Sequence, residues 1–213
     1  MADLVLFHLP GACSRVTMTA LEQAGADYVD RIVDLGRGQQ HGPEYRAVNP
    51  RGKVPALLVD GRLLAENAAI LWWLDSAFPE AGLLPAGDAW ARAQQWSDLF
   101  WVASVWHPSV RANMMPIRWT TGDPAPVRER GKQLMAPLLA RLEQRLAVQP
   151  WWYGEAWSIL DTYLYWCYTT AEEGEYDLSG LVAIADHRRR AAAHPAFMRA
   201  LEREAAARER MDR

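Results

Sequence analysis

Over the first eighty positions apolar residues come in short blocks broken by turn signals, and beyond them the chain settles into helical spacing. Residues 3–8 (Asp-Leu-Val-Leu-Phe-His) form a short apolar run stopped by Pro10 and Gly11, which predicts a buried strand and then a turn. In residues 14–24, Val16, Ala20, Leu21 and Ala24 recur at helical spacing and Gly25 ends the segment, so a helix follows. Tyr28, Val29, Ile32 and Val33 predict a second strand, completing a βαβ unit with a right-handed crossover. Residues 34–53, rich in Gly, Gln, Asn and Pro, predict irregular surface with one short helix over 43–47. Ala56-Leu57-Leu58-Val59 and Arg62-Leu63-Leu64 flank Asp60-Gly61, a hairpin signal, and a helix from Asn67 to about Ala77 carries Ile70, Leu71, Leu74 and Phe78 on one face.

After Pro79 the pattern changes. Leu83-Leu84-Pro85-Ala86-Gly87 is a linker, and helical patterns over about 89–114, 124–148, 158–173, 179–192 and 195–210 follow, with no convincing strand. The chain therefore divides into an α/β domain over residues 1–80, a linker over 81–88 and an all-α domain over 89–213.

Composition narrows the function classes. Half of the 213 residues are hydrophobic, enough for a substantial core. The net charge is −3, and the basic residues are spread along the chain apart from Arg188, Arg189 and Arg190, which argues against nucleic acid as a partner. No basic segment leads into an apolar stretch at the N-terminus and no later run reaches the length of a membrane span, so the expected location is cytoplasmic, away from membranes. There Cys13 and Cys167, far apart in sequence, are expected as free thiols. Of the 11 tryptophans only Trp72 and Trp73 precede residue 80, so the second half is aromatic-rich, in its core or around a pocket for a flat ligand.

Three segments carry candidate chemistry. Pro10-Gly11-Ala12-Cys13-Ser14 joins the first strand to the first helix, where backbone N–H groups and the helix dipole favour an anionic sulfur. Lowering a thiol from its ordinary value near 8.5 by roughly two units takes about 2.7 kcal/mol, within reach of one or two donors. Ser14, Cys13 and His8 are the local candidates; equally, Cys13 is a small residue at a tight turn and Ser14 a helix cap. Position 16 is Val, so a dithiol cycle is not expected. In Asn49-Pro50-Arg51-Gly52-Lys53-Val54-Pro55-Ala56-Leu57, a cis Val54–Pro55 bond would turn the Val54 backbone outward to pair with a peptide-like ligand; the alternative is an ordinary strand-initiating proline. In Leu64-Ala65-Glu66-Asn67-Ala68-Ala69-Ile70, Glu66 and the start of a helix suit an α-amino acid head group, or else plain capping.

In this order the segments resemble the cytosolic glutathione transferase superfamily, and its bacterial beta class in particular. Tyr153-Gly154-Glu155 with Ser158-Ile159-Leu160-Asp161 resembles that family's capping box on a core helix of the second domain. The resemblance spans nearly the whole chain. It implies a thioredoxin-like glutathione-binding domain and an all-helical domain with a hydrophobic substrate pocket. It also implies a homodimer, glutathione as co-substrate, a small hydrophobic electrophile as second substrate, a role in detoxification and no metal. By the resemblance Cys13, Ser14 and His107 are catalytic. His8, Arg37, Lys53, Val54, Pro55, Glu66 and Asn67 bind glutathione, with Asn67 standing where the family usually has Ser. Trp106, Met114, Trp119 and Trp166, with Trp101 and Met115, are candidates for the pocket, although tryptophan at helical spacing is equally a core residue.

Overall fold

The computed structural model describes residues 2–211, which form two compact units: the chain up to Leu83 together with the segment from His194 onward, and Leu84–Ala193.

In the first unit, strand β1 (Leu4–His8) lies between β2 (Val29–Ile32), to which it is parallel, and β3 (Ala56–Val59), to which it is antiparallel; β4 (Arg62–Ala65) closes the order β2-β1-β3-β4. The β3–β4 hairpin turns on Asp60 and Gly61, both with positive φ (49° and 75°), the backbone that a two-residue turn between twisted strands requires. Leu4, Leu6 and His8 are buried on one face of β1. On the other face Phe7 packs with Tyr45 of the short helix α2 (Pro43–Val48), beside Val33, Val48, Val54 and Ala56. Helix α1 (Ser14–Gln23) is buried along most of its length because α3 (Asn67–Ala77) and α9 (Pro195–Met211) both pack on it.

Ion pairs fix α9 to this unit. Glu22 meets Arg199 and Arg203, and Asp30 meets His8, Arg203 and Arg210. The His8 hydrogen bond, with Arg210 nearby, holds the Asp30 carboxyl below the ordinary carboxylate range. Burial and the Glu22 carboxylate push the Tyr28 hydroxyl above its ordinary value. The last helix thus joins the α/β unit, whereas its period alone had grouped it with the helical residues 89–213. Charge pairs between α9 and residues near position 30 are long-range and leave no local trace.

The second unit is all helical: α4 (Ala89–Trp101), a π-helical segment over Val102–Trp106, α5 (His107–Met114), α6 (Ala125–Leu146), α7 (Ile159–Glu173) and α8 (Val182–Ala192). Asp88 caps α4 by accepting from the Ala91 N–H at 2.8 Å. The stretch expected as one helix over 89–114 is continuous in path but widened at 102–106, an insertion that re-aims the residues after it. α8 starts at Val182, later than the pattern suggested, because Asp177 accepts from the Ser179 N–H at 2.9 Å and holds that stretch as a turn. α7 runs through the middle and is buried from Ile159 to Ala171 on nearly every side; the expected capping box opens it. Among the described residues no helix is long and apolar enough to cross a membrane.

α5 and α6 approach closely at Gly131, where a Cβ would lie 2.6 Å from the backbone nitrogen of Asn113. Gly131→Ala gains up to about 1 kcal/mol of helix propensity but forces two backbones apart, so a net loss of about 1–3 kcal/mol is expected in urea unfolding. A variant as stable as the wild type would show that α5 yields without cost.

Candidate active site

Three segments of the first unit converge. Cys13 occupies the N-cap position of α1, 5% exposed, with its Sγ 3.7 Å from the Val54 carbonyl oxygen. The Val54–Pro55 bond is cis. Asn67, first residue of α3, donates its Nδ2 to the Cys13 carbonyl at 3.0 Å and accepts from the Thr17 hydroxyl at 2.8 Å. One buried amide therefore ties α3 to the turn that carries the cysteine.

The loop before the cis bond is equally fixed. The Lys53 carbonyl accepts from the Tyr45 hydroxyl at 2.6 Å and from Asn49 Nδ2 at 2.8 Å. Gly52 has φ +60°, and a Cβ there would lie 2.7 Å from the Gln40 carbonyl oxygen, so glycine alone fits. The Lys53 ammonium is exposed and makes no ion pair among the described residues. Glu66, just before α3, holds the unusual backbone φ 74°, ψ 126° for a residue with a side chain. Its exposed carboxylate stands 3.2 Å from Arg51. At about 60% exposure on both sides that pair contributes little to stability and leaves both groups open to a ligand.

Other expected residues are placed differently. The Ser14 hydroxyl is fully buried and donates to the Leu9 carbonyl at 3.2 Å, closing the turn rather than facing outward. The Asn67 side chain is consumed by Cys13 and Thr17, so a carboxylate at the start of α3 would meet backbone N–H groups instead. His8 is fully buried on Asp30 at 3.2 Å, with no hydrogen-bond partner for its Nδ1 among the described residues. Arg37 is exposed beside Asp34 at 3.5 Å, and among the described residues no hydrogen bond or ion pair joins it to Cys13, Val54 or Glu66.

In the second unit, the π-helical segment delivers His107 to α7, where its Nδ1 lies 2.9 Å from the Tyr163 hydroxyl and its ring 4.5 Å from that of Trp166. The Arg111 guanidinium covers Trp166 at 4.9 Å and touches the Met114 sulfur at 3.4 Å. Trp106 and Trp166, expected as pocket walls, are 0% and 1% exposed and belong to the core; Trp106 packs edge-on against Trp101. Helical spacing shows that a tryptophan faces inward, not whether a space lies beside it. Trp119 is half-exposed and borders a cleft of about 410 Å³ with Pro108, Ala112, Val127, Arg130 and Leu134. Met115 precedes Pro116 and is partly buried. No cluster of His, Cys, Asp or Glu able to hold a metal is found among the described residues.

Sequence reasoning passed over Arg51, Thr17 and Glu204. Glu204 on α9 is 2% exposed, accepts from the Gly11 N–H at 3.1 Å and pairs with Arg15 at 2.6 Å, so it supports the Cys13 turn from beneath. A signal was available: on α9 the buried residues are Ala196, Phe197, Ala200, Glu204 and Ala207, an apolar stripe with one carboxylate set into it.

Known proteins resemble this chain over most of its length. Residues 11–77 match the family model for the glutathione S-transferase N-terminal domain. A glutathione S-transferase of Escherichia coli is 31% identical over 93% of this chain and 98% of its own length. A maleylacetoacetate isomerase of Pseudomonas aeruginosa is 34% identical over 85% of this chain and 87% of its own. Among solved structures, a sphingomonad glutathione S-transferase complexed with glutathione aligns with a TM-score of 0.83 at 33% identity, covering 94% of this chain and 98% of that one. With relatives of that identity aligned over nearly their full length, the chain belongs to the glutathione S-transferase family.

Proposed function

We propose that the protein is a glutathione transferase that binds glutathione as a thiolate and transfers it to a small, hydrophobic, aromatic electrophile. The observation that carries this reading is the meeting of Cys13, at the start of α1, with the Val54 carbonyl of the cis-proline loop. A tripeptide lying along Val54 as an added strand would bring its sulfur to the positive end of α1. Its γ-glutamyl ammonium would face Glu66, its α-carboxylate the start of α3, and its glycyl carboxylate the unpaired Lys53. In the reaction the thiolate sulfur forms a bond to the electrophilic carbon, the leaving group departs with its electron pair, and the thiol proton goes to solvent. The α/β unit serves as the glutathione domain and the helical unit as the source of the hydrophobic pocket, with His107 as a further catalytic candidate. A cytoplasmic homodimer acting in detoxification completes the proposal.

A second reading is favoured by the Cys13 thiol itself. Its thiolate would attack glutathione disulfide, form a mixed disulfide and release one glutathione. The isomerase relative adds isomerisation of a maleylacetoacetate-type substrate as an activity to assay in parallel.

The test is calorimetric titration with glutathione across pH, paired with thiolate absorbance of the bound tripeptide. Micromolar to millimolar binding with the bound thiol lowered by roughly 1–2 pH units is expected. Cys13→Ala should keep conjugation within about fivefold, since helix and loop still hold the glutathione sulfur, and should abolish disulfide exchange. Absence of binding sinks the proposal, and loss of conjugation with Cys13 would promote the mixed-disulfide reading.

A further inference from the structure

Glycine at position 11 lets a cation come close to the cysteine turn. Gly11 has φ +83°, and a Cβ built on it would lie 3.2 Å from an Arg208 Nη2. Arg208 is exposed on α9, within the same compact unit, and makes no ion pair or hydrogen bond among the described residues. Its obvious neutraliser one turn earlier, Glu204, is already engaged: one carboxylate oxygen takes Arg15 at 2.6 and 2.9 Å and the other takes the Gly11 N–H. The other arginines of α9 with ion pairs, Arg199, Arg203 and Arg210, answer Glu22 or Asp30, which leaves Arg208, among the described residues, as an uncompensated guanidinium beside Gly11. Two residues span at most about 7 Å, so Cys13 is one short step away.

We infer that Arg208 is a specificity residue that recruits electrophiles carrying a carboxylate or similar anion near their reacting carbon. This rests on the glutathione transferase reading and narrows its substrate class. A planar guanidinium with free donors binds a carboxylate in two parallel hydrogen bonds, a fit that a neutral substrate cannot use. The bond that forms is between the glutathione sulfur and the aromatic carbon, and chloride leaves with its electron pair. The substrate's anionic group is a handle and takes no part in the bond changes.

The test compares 4-chloro-3,5-dinitrobenzoate with its methyl ester as electrophiles, in wild type and in Arg208→Gln, Arg208→Lys and Arg208→Glu. Each rate is corrected for the uncatalysed reaction. Wild type should favour the acid, with the acid-to-ester ratio of kcat/KM falling roughly five- to tenfold in Arg208→Gln and further in Arg208→Glu. Arg208→Lys should restore part of the ratio, and salt should erode the wild-type ratio as expected for an exposed pair. An acid-to-ester ratio that all three variants leave unchanged, in protein that still binds glutathione by calorimetry, overturns the assignment of Arg208 alone. Wild type that binds no glutathione and converts neither substrate overturns the functional reading with it.

Discussion

Asp161→Ala is expected to lower the stability of the helical unit by about 3–5 kcal/mol, measured as a shift of its urea transition followed by far-ultraviolet circular dichroism. The magnitude follows from what one buried carboxylate holds. Oδ1 accepts from the Trp152 backbone N–H at 2.7 Å and lies 3.2 Å from His187 Nε2; Oδ2 accepts from the Ser158 N–H at 2.9 Å and from its hydroxyl at 2.8 Å. Asp161, Ser158 and His187 are all fully buried, so no water stands ready to replace the carboxylate. Truncation orphans two backbone donors, each costing about 1–3 kcal/mol, and removes the box that opens α7. Asp161→Asn should fare little better. Its amide can accept on one side only and presents N–H to donors on the other. A loss below about 1 kcal/mol would mean that His187 and Ser158 satisfy each other once the carboxylate is gone, and that the network is not what anchors α7.

The same box shows what the sequence made legible. Ser158 and Asp161 sit three apart before an apolar run, a local signature, and the structure builds it as read. The strands, the Asp60-Gly61 turn and the helix starts at Ser14 and Asn67 were legible for the same reason, because each is decided within a few residues. The cis Val54–Pro55 bond stayed open in the sequence against an ordinary strand-initiating proline, since most such bonds are trans. What stayed hidden was partnership across the chain. Nothing near Asn67 indicates that its amide is spent on Cys13 and Thr17, and nothing near His8 indicates that it meets Asp30, itself held by Arg210 of α9. Buried tryptophans were legible as inward-facing, but Trp106 and Trp166 fill the core while the half-exposed Trp119 borders a cleft. The π-helical widening before His107, whose ring then meets Trp166 of α7, likewise left no mark in the helical spacing.

Glu204 gives that partnership its largest consequence in the α/β unit. Glu204→Ala is expected to cost about 3–5 kcal/mol, because it strands the Arg15 side chain, only 14% exposed, without its counter-charge and frees the Gly11 N–H. Glu204→Gln should cost roughly half as much: its carbonyl can still accept from Gly11, so the turn keeps its support while the charge pair is lost. The readout is native-state hydrogen exchange at the amides of α1 and α9, run beside glutathione titration. Both helices should exchange at least tenfold faster in Glu204→Ala, and glutathione affinity should fall in step, because Gly11 anchors the turn that presents Cys13. Glu204→Gln should show most of the exchange effect of a lost charge with affinity near wild type. If Glu204→Ala leaves exchange in α1 and α9 within a factor of two, the ion pairs of Glu22 and Asp30 with α9 suffice to hold that helix, and Glu204 supports the turn alone.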